Sequence, residues 1–194
     1  MDRIKHLKSR LESHNALMTK VLSDDHLLAT LNLAAGVIEQ CFRNGGKVYF
    51  CGNGGSAADA QHLAAEFSGK YMIDRDCLPA EALHCNTSYL TAVSNDFSYD
   101  IVYSRLISGI GRKGDVLIGL STSGNSANIV KAFEVCRTKG IATIAFTGKG
   151  GGAMAPLADL LLAVPSTETA RIQEAHITLG HLLCELVEAA IFSD

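Results

Sequence analysis

The chain has no tryptophan, three prolines and only 6% aromatic residues, and none of its 194 residues belongs to a long run of like charge. Charged residues make up 19% against 47% hydrophobic, which excludes an intrinsically disordered chain. Seventeen basic residues against twenty acidic ones give a net charge of −3, and the basic residues are scattered. A general nucleic-acid or anionic-membrane binder needs a basic surplus that is missing here. No stretch reaches the roughly 18 unbroken apolar residues of a membrane span. The charged start, Met1 to His6, lacks the apolar core of a signal peptide. Six cysteines are present, no two spaced Cys-x-x-Cys, and most lie in apolar runs such as Phe50-Cys51, where free cysteine behaves as a small hydrophobe. Together these absences predict a reduced, cytoplasmic protein with no disulfide framework, zinc finger, nucleic-acid partner or membrane partner.

No repeat, low-complexity tract or linker divides the sequence, so residues 1–194 are expected to form one domain. Residues 1–44 form a helical arm: Ile4, Leu7 and Leu11, then Leu27, Leu31, Ile38 and Phe42, recur at helical spacing. Ser23-Asp24-Asp25 separates two helices and caps the second. The arm carries more apolar surface than a lone helical arm can hide, which points to an oligomer interface. From residue 45 the pattern becomes that of an α/β core. Apolar runs at 47–51, 115–120, 141–146 and 159–164, with a weaker one at 79–83, read as strands. Helical segments near 57–71, 97–111 and 126–139 lie between them, and a long amphipathic helix runs from Thr169 to Phe192. Alternation of this kind predicts a five-stranded parallel sheet covered on both faces, with ligands beyond the carboxyl ends of its strands.

The informative residues fall at those ends. After the first strand, Cys51-Gly-Asn-Gly-Gly-Ser56 leads into a helix, with Ser56 and Asp59 spaced like a capping box. Free N–H groups at such a terminus favour an anion, although an ordinary strand-to-helix turn fits the loop as well. Gly52, Gly54 and Ala57 also match the dinucleotide pattern, a weak signal alone. The third strand ends in Ser121-Thr-Ser-Gly-Asn-Ser126 and opens another helix. Four hydroxyls there exceed what capping requires and suit a sugar phosphate held by hydroxyls and backbone N–H groups. Thr147-Gly-Lys149 has the wrong order for a P-loop, and Gly150 to Gly152 reads as a flexible turn.

His62 and Glu66 lie four residues apart, on one helical face, with Asp59 near the same stripe and Leu63 and Phe67 turned to the core. The last helix places Gln173, Glu174, His176 and His181 within about three turns. Spacing does not decide which of them converge: Glu174 aligns with His181, and Gln173 neighbours His176. Solvated polar faces explain isolated residues of this kind, while a His/Glu pair at i, i+4 is also a metal-ligand geometry of low specificity.

Taken together, Cys51-Gly-Asn-Gly-Gly-Ser56, His62-x-x-x-Glu66, Asn95-Asp96-Phe97, Gly114 to Ser126, Thr147-Gly-Lys149 and Arg171-Ile-Gln-Glu174 with His181 resemble the sugar isomerase (SIS) domain family from about residue 26 onward. The resemblance implies a three-layer α/β/α sandwich, flavodoxin-like, plus the N-terminal helices. It implies an aldose–ketose isomerase that turns D-sedoheptulose 7-phosphate into D-glycero-D-manno-heptose 7-phosphate through an enediol, the first step of nucleotide-activated heptose synthesis. The sugar would meet Asn53, Gly54, Gly55, Ser56, Glu66, Asn95, Asp96 and Gln173, and its phosphate Ser121, Thr122, Ser123 and Ser126. One Zn²⁺ per subunit would be held by His62, Glu66, Gln173 and His181, with no nucleotide cofactor. Glu66 would act as the carbon base and His181 as its acid/base partner. A homotetramer with active sites shared between subunits is implied as well. The sequence departs from the family pattern at Lys70, where the family has arginine, and in a shorter Ser166–Ala170 segment.

Other functions fit less well. A non-catalytic SIS-domain binding protein, of the type that associates with the replication initiator, does not require Glu66 and His181. An isomerase for an arabinose or hexose phosphate would share the fold, and the His62/Glu66 and Gln173/His181 combination favours the heptose. A nucleotide-dependent oxidoreductase needs an acidic residue ending the second strand, whereas Asp74 and Asp76 precede it.

Overall fold

The computed structural model describes residues 1–192; residues 193–194, included in the one-domain expectation, lie outside the described residues. Each of the first two helices starts on an aspartate. Asp2 accepts the N–H groups of Ile4 and Lys5 at the head of α1 (Arg3–Leu22), and Asp24 accepts that of Leu27 at the head of α2 (Asp25–Arg43). The core follows as β1 (Val48–Gly52), α3 (Gly55–Ser68), β2 (Ala80–Ala82), α4 (Thr87–Asp96), α5 (Val102–Ile110), β3 (Val116–Ser121), α6 (Ala127–Lys139), β4 (Ala142–Thr147), β5 (Leu160–Ala163) and α7 (Thr169–Phe192).

The strands form one parallel sheet in the order β2-β1-β3-β4-β5. β1 and β3 are buried along their whole length because helices cover both faces. Val48 and Phe50 join the core under α1, α2, α3 and α7, while Tyr49 and Cys51 join the core under α5 and α6. The chain leaves β1 toward one face and β3 toward the other, so a crevice opens between their carboxyl ends. α7 is long and apolar enough to pass as a membrane span by length and composition. In the fold it is a core helix, with Ile172, Leu179, Leu183 and Val187 buried against its neighbours.

One segment differs from the sequence expectation. The helix expected at 97–111 begins only at Val102, after a single 3-10 turn at Tyr99–Ile101, and a separate helix, α4, precedes it. Local capping explains the shift: the Asn86 side chain accepts the Tyr89 N–H and starts a helix early, and Ser98 accepts the Asp100 N–H in the break. Asn95 and Asp96 therefore end a helix rather than precede one.

Candidate active site

Two loops frame the crevice. The first leaves β1 at Gly52, where a Cβ would lie 2.2 Å from the Ser56 carbonyl oxygen, so only glycine lets α3 start this close to the strand. The N-cap of α3 is Gly54, at φ +56, with no side-chain cap. The expected capping box from Ser56 to Asp59 does not form. Ser56 lies inside the helix, buried against α7, with its hydroxyl 3.5 Å from the Gln173 amide nitrogen. α6 likewise starts on Ser126 without a side-chain cap. Unlike α1, α2 and α4, these helices have no side chain accepting their first N–H groups; α6 leaves them for a ligand, whereas in α3 the Asn53 carbonyl already takes that of Ser56.

In the second loop the Ser121 and Ser126 hydroxyls lie 2.8 Å apart, tying the loop's ends together, and Ser123 Oγ accepts the Asn125 N–H. Thr122 accepts the Gly148 N–H on its carbonyl. Gly150 to Gly152 turn the chain at positive φ, and the residues that follow brace this loop. Ala153 N–H donates to Asn125 Oδ1 at 2.8 Å and Met154 N–H to the Gly124 carbonyl at 2.9 Å. The two loops are joined by Asn53 and Asn128, whose amides donate to each other at 3.0 and 2.9 Å. Tyr99 donates to Asn53 Oδ1 as well, three residues beyond Asp96. Asn95 and Asp96 themselves are exposed, and the Asn95 amide donates to the Asp96 carboxylate. Asn128 and Tyr99 escaped the sequence reading. The i+2 spacing of Asn128 from Ser126 was its only local signal.

A second cluster lies farther along α3. Gly180 brings α7 so close that a Cβ there would sit 2.5 Å from Leu63 Cδ1. Its neighbour His181 then meets His62 with the two Nε2 atoms 3.0 Å apart, and His62 Nε2 lies 3.0 Å from Glu66 Oε1. One ligand atom from each of the three falls within 4.8 Å of the others. The two 3.0 Å separations are close to the roughly 3.3 Å edge of a tetrahedron with arms of about 2.0 Å, and two imidazoles with a carboxylate are a zinc-type donor set. Three residues before His62, the buried Oδ2 of Asp59 has no partner among the described residues. Burial raises the Asp59 pKa, with His62 pulling the other way. An acceptor in such a place is of the kind that orients metal-binding imidazoles.

Glu174 turns to the arm, accepting from Arg171 and pairing with His14 at 2.8 Å. His176 is fully buried, its Nε2 3.1 Å from the Thr147 carbonyl, and burial lowers its pKa to about 4, so it sits neutral in the core. His181 joins His62 and Glu66. Gln173 does not join them: it stands eight residues from His181, about 12 Å along the helix, beside Ser56. Among the departures, Lys70 is exposed in the loop after α3, and the Glu168 carboxylate accepts from Arg10 of the arm.

The chain matches the SIS domain over residues 11–148 and again over 109–193. It is 60% identical over 160 residues to a phosphoheptose isomerase of Rhodospirillum rubrum, covering 82% of this chain and 85% of that one. The structure of phosphoheptose isomerase GmhA from Neisseria gonorrhoeae superposes with a TM-score of 0.89 at 41% identity, covering 95% of this chain and 98% of that one. A phosphoheptose isomerase from Francisella tularensis gives 0.91 at 33%, over 96% and 98%. With its flavodoxin-like strand order and two ligand-ready loops, the chain belongs to the SIS domain family, among its phosphoheptose isomerases.

Proposed function

We propose that the chain isomerises D-sedoheptulose 7-phosphate to D-glycero-D-manno-heptose 7-phosphate, as an enzyme of the kind its relatives are named for. The observation that carries the reading is the meeting of Glu66 with His181 and His62 on the α3–α7 pair. Glu66 removes a proton from C1 of the ketose and returns it to C2, leaving an enediol between the two steps. His181 moves the second proton, from the C1 hydroxyl to the C2 oxygen. Ser121, Thr122, Ser123 and Ser126, with the open N–H groups of α6, hold the phosphate. Asn53, Gly54, Gly55, Ser56, Asn95, Asp96 and Gln173 line the sugar path. We assign zinc to His62, Glu66 and His181; bound there, it would supply Lewis-acid polarisation of the carbonyl.

Distance argues that the site is assembled from more than one copy. Glu66 lies ten residues along α3 from Ser56, about 15 Å from the first loop, which exceeds the reach of one sugar phosphate. A ligand role for Gln173 at the His62/Glu66/His181 cluster likewise requires the Gln173 of a second copy. Ile4, Leu7 and Leu11 on α1 are 57–66% exposed, and Leu182 and Leu186 add apolar surface on α7. Burying such faces is the driving force for a homotetramer. The reading carries with it a cytoplasmic enzyme that uses no nucleotide.

The test is proton NMR of sedoheptulose 7-phosphate with the purified protein in deuterated buffer, with zinc and then with a chelator. An aldoheptose phosphate carrying solvent deuterium at C2 is expected, and the chelator arm reports whether metal is required. Neither product nor exchange in the presence of zinc would overturn the proposal. At the other end of the site, Ser121→Ala with Ser123→Ala should raise KM about tenfold or more for the loss of two hydrogen bonds to a charged group, with kcat little changed. An unchanged KM would remove the phosphate from this loop.

A further inference from the structure

The acid/base histidine is held in place by a loop that does no chemistry. Residues 69–77, between α3 and β2, are gripped by a buried ion pair, Arg75 and Glu188, whose side chains are 2% and 4% exposed. Glu188 accepts the N–H groups of Tyr71, Met72 and Ile73 as well as Arg75 Nε. Burial alone would raise its pKa, but the Met72 N–H, Arg75 and the other N–H donors outweigh that and lower it, so it stays ionised. Arg75 in turn donates to the carbonyls of Glu66, Phe67, Gly69 and Asp76. One end of this clamp therefore fixes the backbone of Glu66.

The other end fixes Tyr71. Its ring packs on the edge of the core and stacks on the His181 imidazole, with centroids 5.8 Å apart and planes 24° from parallel. His62 meets the same imidazole at its Nε2. Ring contact on one face and a polar contact at Nε2 limit the imidazole to a narrow range of χ2. A proton shuttle between two adjacent oxygens depends on that angle.

The geometry points to Tyr71 as a positioning residue for His181, set in place by the Arg75–Glu188 clamp and acting through its ring rather than its hydroxyl. The inference rests on the acid/base role proposed for His181. Tyr71 is half-buried at the edge of the core, so its variants report on position without breaking the ion pair.

The experiment is steady-state kinetics of Tyr71→Leu, Tyr71→Phe and His181→Gln on sedoheptulose 7-phosphate, with oligomeric state checked for each. Tyr71→Leu should lower kcat about tenfold with KM within about twofold, the signature of a lost orientation rather than lost binding. Tyr71→Phe, which keeps the ring, should restore most of that loss. Three results overturn the inference: wild-type kcat in Tyr71→Leu, a loss confined to KM, or an equal loss in Tyr71→Phe. His181→Gln separates the two levels. If it retains turnover, the acid/base assignment itself fails; if it is inactive while Tyr71→Leu keeps the wild-type kcat, only the positioning role fails.

Discussion

Glu66→Gln should lower kcat about 10³-fold or more, the scale at which a carbon base contributes. The substitution keeps the side chain's shape and removes its capacity to take a proton. Glu66 is 23% exposed and pairs with His62 on the helix surface, so the core beneath it is not asked to repack. Affinity for the phosphorylated sugar, measured by calorimetry, should stay within a few-fold, since the phosphate is held by Ser121, Thr122, Ser123 and Ser126 and not by Glu66. Residual turnover within tenfold of wild type would take the base role from Glu66. The same variant tests whether sites are shared. Mixed with Ser121→Ala/Ser123→Ala protein under conditions that exchange subunits, at substrate far below KM, it should recover turnover. The recovered rate should stand well above the sum of the two proteins measured apart. A strictly additive mixture would mean that each chain's own loop and Glu66 serve one substrate.

The residues of this site differ in how plainly the sequence announces them, and the difference is physical. β1 and β3 are legible because strands buried on both faces must be continuously apolar, and glycine-rich loops must follow them. The hydroxyl cluster at 121–126 is legible because too many donors sit together for local capping to absorb. The His62–Glu66 pair follows from helical period alone. Its closure by His181 does not, because that contact is made by Gly180 meeting Leu63, a fact of packing between helices remote in sequence. The same remoteness keeps spacing from deciding between Gln173, Glu174 and His176: packing turns Glu174 to the arm through His14, His176 into the core and Gln173 to Ser56. Ser56 departs from its expected capping role for a related reason: its spacing to Asp59 is that of a cap, but α7 lies where the hydroxyl points. Asn128, buried and paired with Asn53, stands 75 positions along the chain from its partner. The helix at 87–96 was the one element with a local signal, Asn86, that went unused.

The second large effect concerns stability. Replacing Glu188 or Arg75 singly by alanine should cost about 3–5 kcal/mol, since each leaves the other charged and buried. Urea unfolding monitored by circular dichroism would measure this, provided any subunit dissociation is separated from unfolding by varying protein concentration. A simple buried pair is often replaceable by two apolar residues at little cost. This one should not be. Glu188→Leu with Arg75→Met would strand the N–H groups of Tyr71, Met72 and Ile73 and the carbonyls of Glu66, Phe67, Gly69 and Asp76, so the double variant should recover less than half of the single losses. Acid adds an independent check. Glu188 has a folded-state pKa below its ordinary 4.5. Its contribution is therefore complete above that value and lost as pH falls through the lower, folded one. Glu188→Gln should flatten the acid limb of the stability profile while lowering the plateau at neutral pH. A double apolar variant as stable as wild type would show instead that the loop is held by its own packing, and that the ion pair only accompanies it.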